Sequence, residues 1–165
     1  MFNAGDIVVH PMHGAGVIGK IEDRDFLGKK ARYYVLDLCL SSLDKVLVPV
    51  ERAIKLGIRK IISPDAVGDI LEILKTGYQN VDTKGKSWSA IYRKNMEKMK
   101  SGHVLQISEV LSYLHHRNKQ KDLGLKDGEM YAKSFNLVAS EVMFAKKVSS
   151  KHAKLIILKA LEEGA

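Results

Sequence analysis

The chain has 165 residues, 45% of them hydrophobic, with one cysteine and a formal net charge of +8. A chain of this length can bury about two thirds of its unfolded surface, either in one domain or in two small ones. No uninterrupted apolar run approaches the ~20 residues of a membrane-spanning helix, and the N-terminal residues lack the pattern of a signal peptide. We therefore expect a soluble cytoplasmic protein, and a single cysteine excludes an internal disulfide.

The first 62 residues show the short apolar runs of β-strands, separated by turns that contain glycine. The predicted strands are Asp6–His10, Gly16–Ile21, Arg32–Cys39 and Val46–Val50, with turns at Met12–Ala15 and Phe26–Lys30 and a candidate closing strand at Ile58–Ile62. Short strands at this spacing indicate a small, strongly bent antiparallel sheet or barrel. Cys39 lies between two leucines in an apolar run and is expected to be a small buried side chain.

From Ser63 onward the hydrophobic period is that of helices. Pro64 at a first helical position predicts a helix that ends at Gly77. Four more are predicted, at about Ser87–Lys100, at His103 to about Lys121, after a turn at Asp122–Lys126, and after a cap at Ser149 or Ser150. The predicted fold class is α+β, with a small antiparallel barrel over residues 1–62 and a compact bundle of about five helices over residues 63–165.

The positive charge is concentrated in the helical half. Residues 84–121 hold 9 Lys/Arg and 2 Asp/Glu, whereas residues 1–62 hold 10 against 7. Such a basic stretch is what a polyanion would recognise. A solvated helix face is the commoner origin of a charge run, and an anionic membrane surface is a rival partner to nucleic acid.

Trp88 is the single tryptophan, and it lies within the basic segment 84–94. It falls in helical register with Tyr92 and Met99, and a stripe of this kind usually packs into a core. Ser87 is a plausible N-cap, however, which places Trp88 in the first helical turn, where a ring can project beyond the packed helix. A projecting aromatic among basic residues is suited to wedging between stacked bases. Spacing favours the core, and both interpretations stay open.

The patterns that could carry catalysis or metal binding are incomplete. Gly85-Lys86-Ser87 lacks the glycine that a P-loop needs five positions before Gly85, because residue 80 is Asn. Two histidine pairs lack the further ligands of a structural metal site, namely His10 with His13 and His115 with His116. The sequence therefore predicts no enzyme, no cofactor and no metal site.

Several motifs together resemble the CarD/CdnL family of bacterial transcription regulators, over almost the whole chain. They are Gly5-Asp6-x-Val8-Val9-His10-Pro11-x-His13-Gly14-x-Gly16, Tyr34-x-Leu36, Val48-Pro49-Val50, Gly57-Ile58-Arg59, Trp88-Ser89-x-x-Tyr92-x-x-Asn95 and Ser101-Gly102. The N-terminal pattern is shared with the polymerase-binding module of the transcription-repair coupling helicase. The part that contains the tryptophan is what points to CarD/CdnL.

This resemblance implies a Tudor-like N-terminal domain that docks on the RNA polymerase β subunit, and a helical domain that contacts promoter DNA at the upstream edge of the transcription bubble. It implies that Trp88 enters the minor groove there and favours the melted promoter. With the basic segment around it, the expected DNA-binding residues are Trp88, Lys86, Tyr92, Arg93 and Lys94.

On the polymerase side, Arg24 matches a docking residue of the family. Leu47 stands where some members carry arginine, and Lys45, on the same strand face, is expected to replace that charge. Ala90 and Ile91 stand where members often carry arginines, so DNA binding is expected to be weaker or shifted.

The predicted function is thus a non-enzymatic regulator that stabilises the open promoter complex, acting as a monomer when bound, with no membrane partner. The alternative is a free-standing DNA- or RNA-binding protein that uses the barrel as its platform. That alternative needs exposed aromatic and basic residues on the barrel, and Asp23, Asp25 and Asp44 argue against it.

Overall fold

The computed structural model describes residues 1–164. The N-terminal part is an antiparallel five-stranded sheet in the order β4-β3-β2-β1-β5. Its strands are β1 Ile7–His10, β2 Gly14–Phe26, β3 Lys29–Leu38, β4 Lys45–Pro49 and β5 Arg59–Lys60. The two edges of this sheet are therefore β4 and the short β5.

The hairpin of β2 and β3 is longer than the sequence predicted, because β2 continues past Ile21 to Phe26. Residues 22–25 are all charged, so they carry no apolar alternation that would mark a strand. The ladder ends where Phe26 pairs with Lys29. Leu27 and Gly28 both have positive φ, at 53° and 78°, as the two central residues of a type I′ turn require.

One face of the sheet forms a small core, with Val8, Ile18, Leu36 and Val48 almost fully buried. Tyr34 is buried in it, and its hydroxyl accepts a hydrogen bond from the Phe2 amide at 3.0 Å. The prediction for Cys39 is wrong. Since β3 ends at Leu38, Cys39 falls in the bend that follows the strand, and its side chain is exposed.

The C-terminal part contains five α-helices, which are α1 Val67–Thr76, α2 Trp88–Lys100, α3 Val104–Gln120, α4 Leu125–Lys146 and α5 Ser150–Gly164. A short 3-10 turn, Pro64–Ala66, precedes α1, and α4 begins within the predicted turn. Ser149 caps α5, since its hydroxyl accepts from the His152 amide at 3.1 Å. None of these helices, within the described chain, has the length and apolar character needed to cross a bilayer. The α+β fold class is confirmed.

The sheet and the helices meet at a polar junction between β2, β5 and α4. The Ala15 amide donates to the Ser140 hydroxyl at 2.9 Å. A Cβ at Gly14 would lie 2.5 Å from that same hydroxyl, and Gly14 has a φ of 85°, so only glycine fits there. Arg59 forms an ion pair with the buried Glu141 at 2.6 Å.

Candidate functional site

The amino end of α2 forms as the sequence predicts. Ser87 is in an extended conformation, and its hydroxyl accepts a hydrogen bond from the Ala90 amide at 3.2 Å. This bond satisfies one of the unpaired amides at the start of the helix. Trp88 is therefore the first residue of α2.

Trp88 is neither a core residue nor a freely projecting ring. It is 42% exposed and lies outside the buried cluster of the helices. Its ring stacks on Tyr92, one turn later, with 5.0 Å between centroids and 29° between planes. The indole Nε1 donates a hydrogen bond to Asp127 Oδ2 at 2.9 Å. One part of the ring is thus fixed by the protein, and the rest faces solvent.

Asp127 is the residue that orients this tryptophan, and the sequence did not reveal it. Its side chain is buried, lies in the first turn of α4, and also accepts from Arg117 Nη1 at 3.0 Å. An acidic side chain at a helix N-terminus is favoured by the helix dipole. Next to it, Lys126 Nζ lies 5.9 Å from the ring centroids of both Trp88 and Tyr92. This distance permits a cation–π contact that adds positive charge beside the aromatic pair.

The predicted basic contacts are spread around α2 rather than collected beside Trp88. At about 100° per residue, Arg93 lies roughly 140° around the helix from Trp88, and Lys94 lies about 120° away in the other sense. Both side chains are exposed and form no ion pair within residues 1–164. Ala90 adds no charge to this end of the helix.

Lys86 differs, because its ammonium group is ion-paired with Asp82. Hydrogen bonding to Lys86 lowers the pKa of Asp82, and the same bond raises the pKa of Lys86. Three other basic residues of the 84–121 stretch are paired as well, namely Lys98 with Glu109, Arg117 with Asp127 and Lys119 with Glu162. The charge available to a polyanion is therefore smaller than the sequence count indicates.

The sheet brings the three predicted polymerase contacts to one face. In the strand register, Arg24 lies opposite Ala31, Lys45 lies opposite Asp37, and Leu47 lies opposite Val35. The pairing partners on β3 are separated by even numbers of residues, so all three side chains lie opposite the buried face. Arg24 and Lys45 are about 20 Å apart along the strands. They can contact an extended surface but not a single group.

Both cations on this face have an acidic neighbour. Arg24 pairs with Glu22 at 2.5 Å, and Lys20 pairs with the same carboxylate at 2.6 Å. Hydrogen bonds from Lys20 and Arg24 lower the pKa of Glu22. Lys45 is ion-paired with Asp37. Glu22 is shared by two cations, so the face keeps an excess of positive charge at that point.

An exposed aromatic pair extends the same face towards the hairpin turn. Phe26 is 50% exposed and meets Tyr33 edge to face at 5.5 Å between ring centroids. Phe26 lies two residues beyond Arg24, and Tyr33 is the cross-strand partner of Glu22. The face therefore combines apolar rings with cations, and β4 at its side is a sheet edge.

The incomplete motifs have structural roles. Gly85 adopts a φ of 69° in the turn before α2, and the segment before it is a 3-10 helix instead of the strand that a P-loop follows. The His10 and His13 rings lie close together, with 4.6 Å between centroids and 46° between planes, and burial together with the charge of His13 lowers the pKa of His10 to about 4. No cluster of three metal-ligating side chains occurs among the residues that the structure describes.

Two family models match the chain. The model of the CarD-like/TRCF RID domain matches residues 2–62, and the model of the CarD C-terminal domain matches residues 69–158. The chain belongs to the CarD family. The resemblance drawn from the sequence motifs is thereby confirmed.

A curated relative shows the same likeness over nearly the full length of both chains. This CarD-family chain is 30% identical over 154 residues to the "Putative transcription factor YdeB" of Bacillus subtilis (strain 168). The alignment covers 93% of this chain and 98% of the relative. CarD membership makes the protein a transcription regulator of a family whose N-terminal domain is related to RNA polymerase interaction.

Proposed function

We propose that this CarD-family protein docks on the RNA polymerase β subunit through residues 1–62 and stabilises the open promoter complex through residues 63–165. The observation that carries the DNA half of the proposal is the position of Trp88 at the first turn of α2. It is 42% exposed, stacked on Tyr92 and oriented by Asp127. A fixed ring with a free edge can lie against an unstacked base pair without first losing conformational freedom.

The docking half of the proposal rests on the outer face of the sheet. Arg24, Lys45 and Leu47 share this face with the exposed Phe26. A face of this kind, with aromatic and arginine side chains on a rigid sheet, has the composition of a protein interface. The edge strand β4 also presents unpaired backbone groups that a strand of a partner can bind.

The junction supports a mechanism in which docking positions the tryptophan. Arg59, on β5, donates to the Gly102 carbonyl at 2.9 Å, and Gly102 lies just after α2. The same guanidinium binds Glu141 on α4, whose neighbour Ser140 binds Ala15 on β2. These bonds fix the direction of α2 relative to the sheet. A polymerase bound to the sheet therefore presents Trp88 to DNA at high effective concentration.

The proposed effect on transcription is a shift of population. A protein that binds the open complex more tightly than the closed one moves the equilibrium towards open by the difference in affinity. The indole N–H of Trp88 is occupied by Asp127, so the ring contributes stacking and shape rather than a hydrogen bond to a base edge. We expect little sequence readout, and dependence on the deformability of the promoter.

The test compares Trp88→Ala and Trp88→Phe with the wild-type protein. Open-complex lifetimes should fall for Trp88→Ala and be partly retained by Trp88→Phe, because phenylalanine keeps an aromatic face. Because the ring is half-exposed, each variant should lose less stability than the about 3 to 5 kcal/mol of a fully buried aromatic residue and should remain folded. A folded Trp88→Ala protein with wild-type lifetimes would refute the wedge.

A second candidate function is favoured by one observation, the exposure of Phe26. With Tyr33, Lys29 and Lys30 it forms an aromatic and basic end of the hairpin, as a free-standing nucleic-acid binder would need. The two candidate functions are distinguished by measuring how tightly the Phe26→Ala variant binds DNA without polymerase, and how tightly it binds polymerase. Loss of that binding supports the second function, whereas loss of polymerase binding alone supports the first.

A further inference from the structure

An apolar groove of about 470 Å³ opens where the sheet meets the helices. Its sides are the turn after β1, at Met12, the residue Leu56 before β5, and the facing sides of α2 and α4. This volume is within the range of about 300 to 1,000 Å³ typical of small-molecule sites. Of its lining residues, Tyr92 also belongs to the proposed DNA-binding surface and Lys126 lies beside it, whereas the methionines are used by neither proposal.

Methionine dominates the lining. Met99 and Met130 form the floor and are almost buried, Met96 is half-buried, and Met12 at the rim is 57% exposed. Leu56, at the same rim, is 45% exposed. Apolar side chains at a domain junction mark a binding surface, and flexible thioethers adapt to the shape of an occupant.

Positive charge surrounds the apolar lining. Lys100, Lys126 and Lys133 border the groove together with a single acid, Glu129. None of these four side chains forms an ion pair anywhere in residues 1–164, although other lysines of the chain do. Lys126 and Lys133 are seven positions apart on α4 and thus share one side of the helix, about 10 Å from each other. Because these three lysines outnumber the single glutamate, the groove favours an anionic ligand.

We propose that this groove binds an amphipathic monocarboxylate, an aliphatic acid of medium chain length. The alkyl chain lies along the methionines, and the carboxylate is bound by the lysines at the rim. The rim of the groove along α4 is about 10 Å long from Lys126 to Lys133, which matches an extended chain of about eight carbons whose carboxylate binds at one end. Tyr92 lines the groove and stacks on Trp88, so the occupant would lie next to the proposed DNA-contacting ring.

The test uses octanoate and the full-length protein with ¹³C-labelled methionine methyl groups, in the absence of polymerase and DNA. The chain has six methionines. Four of them, Met12, Met96, Met99 and Met130, line the groove. Met1 and Met143 lie elsewhere and serve as internal controls. We expect saturable shifts of the four groove signals with one common midpoint, and unchanged signals from the other two.

A neutral analogue and a short analogue measure separately what the carboxylate and the alkyl chain contribute to binding. Octan-1-ol lacks the charge and should bind about tenfold more weakly, and acetate lacks the chain and should cause no shifts. Lys133→Gln should raise the Kd for octanoate about fivefold, the range expected of one exposed ion pair. The matched control Lys151→Gln, on the exposed side of α5, should leave it unchanged.

Substitutions of Met12, at the rim of the groove, test directly whether octanoate binds there. Met12→Glu places a carboxylate at the mouth of the groove and should abolish the octanoate shifts, while Met12→Gln should retain them. Met12 is exposed, so both variants should fold. The proposal is overturned if all six methionines shift together, if octan-1-ol binds as tightly as octanoate, or if only an oligonucleotide shifts the four groove signals.

Discussion

Arg59 and Glu141 form a bidentate ion pair, with Nη1 to Oε1 at 2.6 Å and Nη2 to Oε2 at 2.9 Å. The carboxylate is 2% exposed, and it also accepts from the Ile62 amide at 3.0 Å. The guanidinium binds the Gly102 carbonyl as well. One pair thus connects β5, the segment after it, the turn after α2 and the last third of α4. Removal of Arg59 would leave the buried carboxylate of Glu141 without its cation.

Arg59→Leu should therefore lower the free energy of unfolding by about 3 to 5 kcal/mol, the cost of leaving one member of a buried pair uncompensated. Lys75→Leu is the matched control, because Lys75 pairs with Glu163 at the surface and should cost about 1 kcal/mol or less. The double variant Arg59→Leu/Glu141→Leu should recover much of the loss. Urea denaturation of the wild type and the three variants gives the comparison, and equal losses for Arg59→Leu and Lys75→Leu would contradict the prediction.

This pair also shows where sequence interpretation stops. The start of α2 follows from local chemistry, since Ser87 caps its own helix, and the prediction there is confirmed. Arg59 and Glu141 are 82 positions apart, and Trp88 and Asp127 are 39 apart. Spacing and composition carry no information on such pairs. The two alternatives for Trp88 could not be separated for the same reason, because its exposure depends on α4.

The tryptophan should lose its orientation when Asp127 is removed. Asp127→Ala removes the acceptor of the indole N–H and of Arg117, and because both donors are partly exposed and can bind water instead, we expect a loss of only about 1 kcal/mol. Trp88 is the only tryptophan, so its fluorescence anisotropy reports its mobility directly. We expect lower anisotropy and shorter open-complex lifetimes although the ring is still present. Asp122→Ala, in the exposed turn before α4, should change neither quantity.

The basic residues near α2 should contribute unequally to DNA binding. Arg93→Ala should flatten the dependence of log K on log salt by about 0.7 to 0.9 units for one lost phosphate contact, equally on all DNA sequences. Lys86→Ala should have a smaller effect, because Asp82 already neutralises that lysine. Asp82→Asn should free Lys86 and strengthen binding at low salt. Salt titrations of binding measure all three, and a loss at Arg93 restricted to some sequences would indicate base readout instead.

The outer face of the sheet should carry the polymerase contact, and the hairpin offers a matched pair of variants. Arg24→Glu reverses a charge on that face, whereas Arg32 is the cross-strand partner of Asp23 and points to the opposite face. Both arginines are exposed and ion-paired, with Glu22 and Asp23. We expect Arg24→Glu to weaken binding to polymerase at least tenfold more than Arg32→Glu in a titration with purified polymerase. Equal effects would show that net charge, and not this face, determines binding.

Acid should destabilise the turn after β1. The neutral His10 ring accepts a hydrogen bond from the Met12 amide at Nδ1, 3.1 Å away, and burial and the nearby His13 lower its pKa to about 4. The unfolded chain binds a proton at the ordinary value of 6.5, so between pH 6.5 and about 4 it holds more protons than the folded protein. The contribution of His10 to stability is therefore complete above about pH 6.5 and is lost as the pH falls towards 4.

His10→Asn isolates this contribution, because the asparagine oxygen can accept from the Met12 amide and does not titrate. Its free energy of unfolding should fall less than that of the wild type between about pH 7 and about pH 5. Burial also lowers the pKa values of His13 and His115, so some acid sensitivity should persist in the variant. Urea denaturation at both pH values measures the difference. Identical slopes for the two proteins would mean that His10 is protonated equally in the folded and unfolded states.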